Sequence, residues 1–528
     1  MKCKLLFIIF VIISFLGFLS PVMALVPDDP YYFTQWYLPV IKANQAWDIT
    51  TGSSEIIIAI LDSGVDIDHP DLINNIWTNK NEIDGNGIDD DKNGYIDDIH
   101  GWDFIENSNN PNPKFISNYT KTAINHGTII AGIIGAKGNN KQGISGINFK
   151  TKIMSLRILD GQGGGNGNNF VKAIDYAIKN GAQILNLSFT GKEENKELLK
   201  AIERAWKAGL IIVAAAGNED PEHNGIDLDK THRYPVCSDG QENIVIGVAA
   251  VDNKDQKTNF SSFGEKCIDI SAPGISFYGT QTYNPEEINF KEYYGGYYSG
   301  TSVAVPQVAA AAALIWSQAP NLTNKEVQNF ILNGADNINE QNLEYKNKLG
   351  VGRLNIYQSL LLAKNSLKLT QSSEKNSNSK KIIITAYKNN KTSLKIFNIA
   401  SNLNYQQIVY NQHFQGGVNV ATGDLDGDGK DELITGVASQ KSSYVRIFKI
   451  VGNSLYLTLQ TMAYNANFQG GVNVATGDLD GDGKDELITG PKTGEPLIKV
   501  FDENGNLKTE FKSFDSEFQE EINITTMN

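Results

Sequence analysis

Three short segments carry side chains whose types and spacing suit acyl transfer. Ile60-Leu61-Asp62-Ser63-Gly64-Val65 ends an apolar run with a carboxylate. Asn125-His126-Gly127-Thr128 opens a helical stretch with an imidazole, and Gly300-Thr301-Ser302-Val303-Ala304-Val305-Pro306 opens another with a hydroxyl. A serine hydroxyl is a poor nucleophile until a base within hydrogen-bond reach takes its proton and an acid orients that base. A helix start favours the negative charge that develops during attack. Pro306 is expected in the first turn of its helix, where a missing N–H leaves no bond unmade. Gly300 and Ala304 are small enough to let a substrate backbone reach Ser302. The oxyanion needs donors of its own, and Ala214-Ala-Ala-Gly217-Asn218 offers a side-chain amide just past an apolar run. Each segment alone is ordinary turn or cap chemistry; together they read as orienting acid, base, nucleophile and oxyanion donor. The other histidines, His69, His100, His223, His232 and His413, lack that setting and read as surface or structural.

The elements that must hold these groups are legible in the pattern around them. From Glu55 to about Leu362, short β-branched runs (55–61, 152–158, 183–187 and 210–214) alternate with helical stretches near 126–136, 168–180, 193–208 and 302–318. Continuous apolar strands separated by helices imply an α/β fold, a parallel sheet with helices on both faces. In such sheets function gathers at the carboxyl ends of the strands. The chain has 528 residues, 41% of them hydrophobic, which suffices for a buried core and excludes wholesale disorder. Its 60 acidic against 46 basic residues give a net charge of −14, which repels phosphate backbones and argues against nucleic acid as a partner.

The stretch from about Pro30 to Leu362 resembles a subtilisin-family serine endopeptidase, closest in flavour to the thermitase-like branch. The Asp…His…Ser order and the opening Asp29-Pro-Tyr-Tyr32…Gln45-Ala-Trp47 carry that resemblance. It implies Asp62 as orienter, His126 as general base, Ser302 as nucleophile and Asn218 as oxyanion donor. It also implies that Gly163-Gly164-Gly165 and Ser188-Phe189-Thr190-Gly191 hold a peptide substrate between them by β-augmentation. Ala214 to Gly217, Ala216 and Gly217 among the substrate-binding residues, would form one wall of the first specificity pocket, and Glu219 would sit near its base. Broad specificity favouring apolar or large P1 residues follows from the resemblance. The family often has a second histidine where this chain has Ile129. The resemblance also implies an inhibitory folding segment, for which the sequence leaves little room after Ala24.

Three acidic loops suit Ca²⁺, the cofactor expected here in a structural role. Asp89, Asp91, Asn93 and Asp97 stand at positions 1, 3, 5 and 9 of a loop with Gly94 at position 6 and the carbonyl of Tyr95 at position 7. The same spacing occurs in Asp424, Asp426, Asp428, Lys430 (carbonyl) and Glu432, and again in Asp478, Asp480, Asp482, Lys484 (carbonyl) and Glu486. The last two loops belong to a repeat: Gly416 to Gly436 recurs unchanged from Gly470 to Gly490, an offset of 54. Lys395-Ile-Phe397, Arg446-Ile-Phe448 and Lys499-Val-Phe501 mark three related strands, and Phe518 to Thr526 echoes Phe468 to Thr476, with the sequence stopping where a third acidic loop of the repeat should begin. These units resemble FG-GAP or VCBS-like propeller blades, so a C-terminal all-β domain is expected.

A basic start, an apolar run from Leu5 to about Leu19 and Val22-Met23-Ala24 read as a signal peptide over residues 1–24. Residues 25–368 then form the peptidase domain, 369–381 a polar linker and 382–528 the repeats. No stable membrane span is expected after signal removal. Cys237 and Cys267 could pair in an exported chain or stand as free thiols. The reading is a secreted, Ca²⁺-stabilised serine endopeptidase acting on proteins and peptides, with a β tail suited to a cell surface, a glycan or another chain. The competing reading is a non-catalytic adhesion scaffold.

Overall fold

The computed structural model describes residues 24–116, 118–218, 225–239, 243–373, 381–386, 393–398, 403–408, 417–438, 443–451, 454–465, 468–515, 518 and 522–526. The signal-peptide stretch up to Met23, most of the expected linker, Glu219, His223 and His413 lie outside the described residues. Two compact units divide the chain, Met1–Ala363 and Lys364–Asn528.

The first unit is built on strands β1 (Ile57–Asp62), β2 (Gly101–Asp103), β3 (Lys152–Arg157), β4 (Ile184–Leu187), β5 (Ile211–Ala215), β6 (Val245–Val251) and β7 (Ile270–Pro273). They form one sheet in the order β2-β3-β1-β4-β5-β6-β7, every pairing parallel. Nearly every strand residue is buried, as a sheet covered on both faces requires. A separate hairpin, β8 (Phe277–Thr280) with β9 (Tyr294–Tyr298), precedes the helix that carries Ser302. The covering helices include α1 (Lys121–Gly135), α2 (Gly167–Lys179), α3 (Lys196–Lys207), α4 (Thr301–Gln318) and α5 (Asn324–Asn333), while α6 (Ile356–Ser373) runs from the first unit into the second. Helix α4 carries the run Ala309 to Ala313, all fully buried; small side chains let it sit close to the sheet and to α1. Strand β6 lies outside the four runs that the sequence pattern picks out, although Val245-Ile-Gly-Val-Ala-Ala-Val251 is as apolar as its neighbours. Helix α6 runs on into Gln371-Ser-Ser373, so the first residues of the expected linker are helical.

Cys237 and Cys267 are joined by a disulfide with their Cα atoms 4.9 Å apart, which resolves the open choice between a bridge and free thiols. His69 is fully buried, with Nε2 at 2.9 Å from the Tyr293 carbonyl while Nδ1 accepts from the Asp71 N–H. Burial pushes its pKa down to about 4, so it is a neutral structural histidine.

The second unit holds three antiparallel sheets. The first comprises β10 (Lys381–Ala386), β11 (Ser393–Asn398) and β12 (Leu403–Ile408). Two four-stranded meanders come next: β13 (Val418–Gly423), β14 (Glu432–Val437), β15 (Tyr444–Val451) and β16 (Ser454–Met462), then β17 (Val472–Gly477), β18 (Glu486–Pro491), β19 (Leu497–Phe501) and β20 (Leu507–Lys512). Four-stranded meanders in tandem are the architecture of propeller blades.

One ion pair in the first unit is fully inside. Arg157, at the end of β3 and level with Asp62, donates to Asp103 at 2.6 Å, and neither side chain is more than 1% exposed. Removing Asp103 leaves the buried guanidinium, among the described residues, only the exposed Glu106 carboxylate at 4.0 Å, a loss of about 3–5 kcal/mol, whereas replacing both partners with apolar groups is close to neutral. We therefore expect Asp103→Ala to lower unfolding free energy by that amount in chemical denaturation, and Asp103→Leu/Arg157→Met to recover most of it. Equal losses in both variants would refute the pairing argument.

Candidate active site

Strand β1 delivers Asp62 to the carboxyl edge of the sheet, where it is completely buried. Helix α1, capped by the Thr120 hydroxyl accepting from the Ala123 N–H, presents His126 from its second turn. Nδ1 of His126 lies 2.8 and 2.9 Å from the two Asp62 oxygens. The contact depends on a glycine. A Cβ on Gly127 would come within 2.2 Å of the Gly64 carbonyl, so only a residue with no side chain lets the helix approach the strand end this closely. Burial alone would lower the His126 pKa; the charge and hydrogen bond of Asp62 outweigh it and hold the ring above the ordinary histidine value.

Ser302 is the second residue of α4. Pro306 is the sixth, so the expectation that it sits in the first turn is corrected. Beyond the first turn a proline removes the N–H that would bond four residues back, here the one due to the Ser302 carbonyl. That carbonyl instead accepts from the Ser188 hydroxyl at 2.9 Å, and Ser188 Oγ in turn accepts from the buried Asn186 amide at 2.9 Å. On the other side, Asn218 Oδ1 accepts from the Thr301 N–H (2.7 Å) and the Thr301 hydroxyl (3.0 Å). With the oxygen doubly engaged, Nδ2 is left as the donor. Gly300 makes the room, since a Cβ there would lie 2.9 Å from Nδ2. The structure draws no hydrogen bond between His126 and Ser302; contacts of this kind often tighten only when substrate is bound.

Gly163, Gly164 and Gly165 form a tight exposed turn tied to Asp160, with Gly163 at φ +84 and the Gly164 N–H bonded to Asp160 Oδ1 at 2.8 Å. A Cβ on Gly165 would lie 2.6 Å from the Phe170 ring, which would have to shift to admit it. Phe189 packs against Phe170 with centroids 4.7 Å apart. Gly191 differs from its neighbours. Its N–H and carbonyl both pair with Tyr234, at 2.7 and 3.0 Å, so its backbone is already committed. Ala216 is buried, and Gly217, at φ +104, donates its N–H to the Thr301 hydroxyl.

The subtilase family profile matches residues 53–352, over half of the chain. The chain belongs to the subtilase family. By family this subtilase is a serine endopeptidase, and a profile for FG-GAP-like repeats matches its residues 424–489. It is 33% identical over 338 residues to thermitase from Thermoactinomyces vulgaris, covering 63% of this chain and 99% of that protein. It is 34% identical over 360 residues to subtilisin-like protease 1 from Plasmodium berghei, a match that takes in 64% of this chain but only 56% of that longer protein. A thermophilic serine proteinase from a Bacillus species is 36% identical over 335 residues, 63% of this chain and 69% of that one. A solved protease structure from Pseudoalteromonas arctica matches with a TM-score of 0.50 at 25% identity, covering 64% of this chain and 99% of that one.

The acidic loops are arranged differently from their sequence spacing. In the first, the oxygens that converge within 4.8 Å belong to Glu82, Asp91 and Asp98. Asp89 is turned onto its own loop, accepting from the Asn93 and Gly94 N–H groups, and Asp97 accepts from Asn86 and Gly87. Asn93 presents its amide nitrogen, not its oxygen, to Asp91 and Asp98, while its oxygen accepts from the Tyr95 N–H. Glu82 and Asp98 lie outside the spaced motif, and only the fold brings them to it. In the repeats, Asp424 with Asp426 and Glu432, and Asp478 with Asp480 and Glu486, form matching groups. Asp428 and Asp482 instead accept from the Lys430 and Lys484 N–H groups. An ammonium sits against each group: Lys449 lies 2.6 Å from Asp426, and Lys508 lies 2.6 Å from Asp480 and 2.8 Å from Glu486. Convergent carboxylates of this kind are the hard-oxygen donor set that Ca²⁺ takes.

Ser188→Ala leaves the Ser302 carbonyl without its donor, at about 1–3 kcal/mol, and should lower both stability and kcat. Pro306→Ala in the same chain restores an N–H four residues on and should recover much of the loss; a double variant no better than Ser188→Ala would contradict the assignment. Separately, burial and then the Asp426 charge push the Glu432 carboxyl from 4.5 to about 7. A carboxyl raised in the folded state favours folding below its unfolded pKa and loses that contribution as pH rises through the folded one, here at most about 3 kcal/mol. In chelated protein the C-terminal unit should therefore melt lower above pH 7 than near pH 4.5, and added calcium should reverse the loss. A melting temperature flat across that range would count against it.

Proposed function

We propose that this subtilase is an exported, calcium-stabilised endopeptidase of broad specificity in which Asp62, His126, Ser302 and Asn218 carry the reaction. The Asp62–His126 contact is the observation that supports the reading best: a buried carboxylate fixes the ring's Nδ1–H and leaves Nε2 as the base. His126 takes the Ser302 proton as Oγ attacks the peptide carbonyl. The oxyanion that forms is held by Asn218 Nδ2 and by the Ser302 N–H, which at the second position of α4 has no carbonyl four residues back within the helix. The tetrahedral species collapses as His126 returns the proton to the leaving amine, and water then hydrolyses the acyl-enzyme by the same path reversed. Backbone at Gly163–Gly165 and at Ser188–Thr190 holds the substrate as an added strand, and small Ala214–Gly217 leave the P1 pocket wide.

Calcium enters as a structural ion. Bound at the carboxylate groups around Asp91, Asp424 and Asp478, it supplies positive charge that offsets mutual repulsion and pins the loops. Among the described residues no helix is long and apolar enough to cross a membrane, and export rests on the amino-terminal signal pattern.

Ser302→Ala should cut casein hydrolysis by about 10⁶, the magnitude known for removing the nucleophilic serine of subtilisin, with the melting temperature unchanged. A fluorophosphonate probe should label Ser302 in the unaltered chain. Retained hydrolysis in the variant, or an unlabelled Ser302 in folded, calcium-loaded protein, would replace this reading with the scaffold one.

A further inference from the structure

Helix α1 carries the base and helix α4 the nucleophile, and the hairpin β8–β9 is bonded to the approaches of both. On the α1 side, the Thr280 hydroxyl donates to the Thr128 carbonyl at 2.6 Å. The Thr282 hydroxyl donates to the Ile124 carbonyl at 3.2 Å, which leaves the Thr128 hydroxyl, 3.0 Å away, to donate to the Thr282 oxygen. The Thr282 N–H donates to Asn125 Oδ1 at 2.9 Å. Residues 124, 125 and 128 bracket His126 within little more than one turn of helix, and every one of these partners is buried. The residues that follow β8 are thus stitched to the helix around the base.

On the α4 side, β9 ends at Tyr298, and Ser302 lies four residues on. Gln281 stands in the chain between Thr280 and Thr282, and its side-chain amide donates to the Tyr298 hydroxyl oxygen at 2.5 Å. Gly295 gives the amide its passage, since a Cβ there would lie 2.3 Å from Gln281 Nε2. The Gln281 N–H donates to the Tyr293 carbonyl at 2.7 Å, so backbone and side chain both hold the β9 segment. Burial raises the Tyr298 phenol to about 12, against the pull of the Gln281 and Asn125 amides, so it stays neutral at neutral pH. One residue therefore joins the strand that leads into the nucleophile to the loop that grips the base.

We propose that Gln281 is a positioning residue for the acyl transfer: its bond to Tyr298 ties the approach to Ser302 to the loop stitched around His126, and so sets the separation of nucleophile and base. The inference rests on the roles given to His126 and Ser302 above. A base takes a proton only within hydrogen-bond reach, about 2.6–3.2 Å, so the two groups tolerate little relative drift. A misplacement of about 1 Å, caused by a change away from the chemistry, can cost about 10²-fold in rate. The segments that hold the substrate backbone, Gly163–Gly165 and Ser188–Thr190, take no part in these bonds. Loss of the Gln281–Tyr298 bond should therefore fall on kcat and spare KM.

The test measures kcat, KM and melting temperature for the full chain on a peptide p-nitroanilide. Gln281→Met keeps the reach of the side chain and removes the donor. Tyr298→Phe removes the acceptor and probes the same bond with Gln281 in place, should the first variant fail to fold. Each is expected to lower kcat about tenfold with KM within about twofold and the melting temperature little changed. The double variant should lose no more than either single one, because both remove one shared bond. An unchanged kcat in both variants, a KM that rises in step with the loss, a melting temperature that falls with it, or additive losses in the double variant overturns the proposal. An unaltered chain that cleaves no peptide overturns the assignment of His126 and Ser302 beneath it, and this inference with it.

Discussion

The approach of helix α1 to the end of strand β1 is the constraint from which the catalytic side of the molecule follows. Asp62 is buried at a sheet edge, and among the described residues its ion-pair partner is the His126 ring it touches. A carboxylate in that position is costly unless hydrogen-bonded, and the ring can reach it only because Gly127 has no side chain to strike the Gly64 carbonyl. One missing side chain on the helix brings two distant stretches of sequence into hydrogen-bond contact. The parallel sheet explains why the meeting occurs where it does: all seven strands point the same way, so β1, β4 and β5 bring Asp62, Ser188 and the Ala216–Asn218 turn to one edge.

Ser302 is held by a second device. Helix α4 must be alanine-rich to pass between sheet and neighbours, and buried along almost its whole length it has little freedom to shift. Pro306 then opens a gap in its backbone ladder below Ser302, and the sheet closes that gap with Ser188. The helix is thereby fastened at the end of β4 through the residue that matters most, by a bond an ordinary helix would have made internally. Thr301 does the same on the opposite flank, where its hydroxyl links the Gly217 N–H to Asn218. The serine is gripped through its backbone from two strand ends, while its side chain stays free for chemistry.

How much of this is legible in the chain alone depends on how local the signal is. The carboxylate, imidazole, hydroxyl and amide each sit in a contiguous motif at a strand end or helix start, so their types and neighbours announce them. Pro306 departs from its expected place because α4 begins at Thr301; the helix register, not the residue type, decides whether a missing N–H is harmless. Glu82 and Asp98 escape the sequence pattern for the opposite reason. Spacing rules assume a loop closing on itself, whereas here Asp89 satisfies its own turn and carboxylates just outside the motif converge on Asp91. Gly191 fits the family pattern in type but has its backbone committed to Tyr234, a pairing that no local motif encodes.

The repeats show the same division between local and distant determinants within one unit. Identical sequence from Gly416 and from Gly470 folds into matching hairpins, with Glu432 and Glu486 closing onto the Leu425 and Leu479 N–H groups in the same way. The balancing ammonium is not part of the repeat. Lys449 comes from β15, the third strand of its sheet, whereas Lys508 comes from β20, the fourth. The position 54 residues beyond Lys449 is Glu503, an acid. Repeated acidic loops therefore impose a repeated electrostatic demand, and two unrelated lysines answer it from different strands. The carboxylate geometry is set by the repeated turn, and the means of neutralising it is left to whichever neighbouring strand places a positive charge within reach.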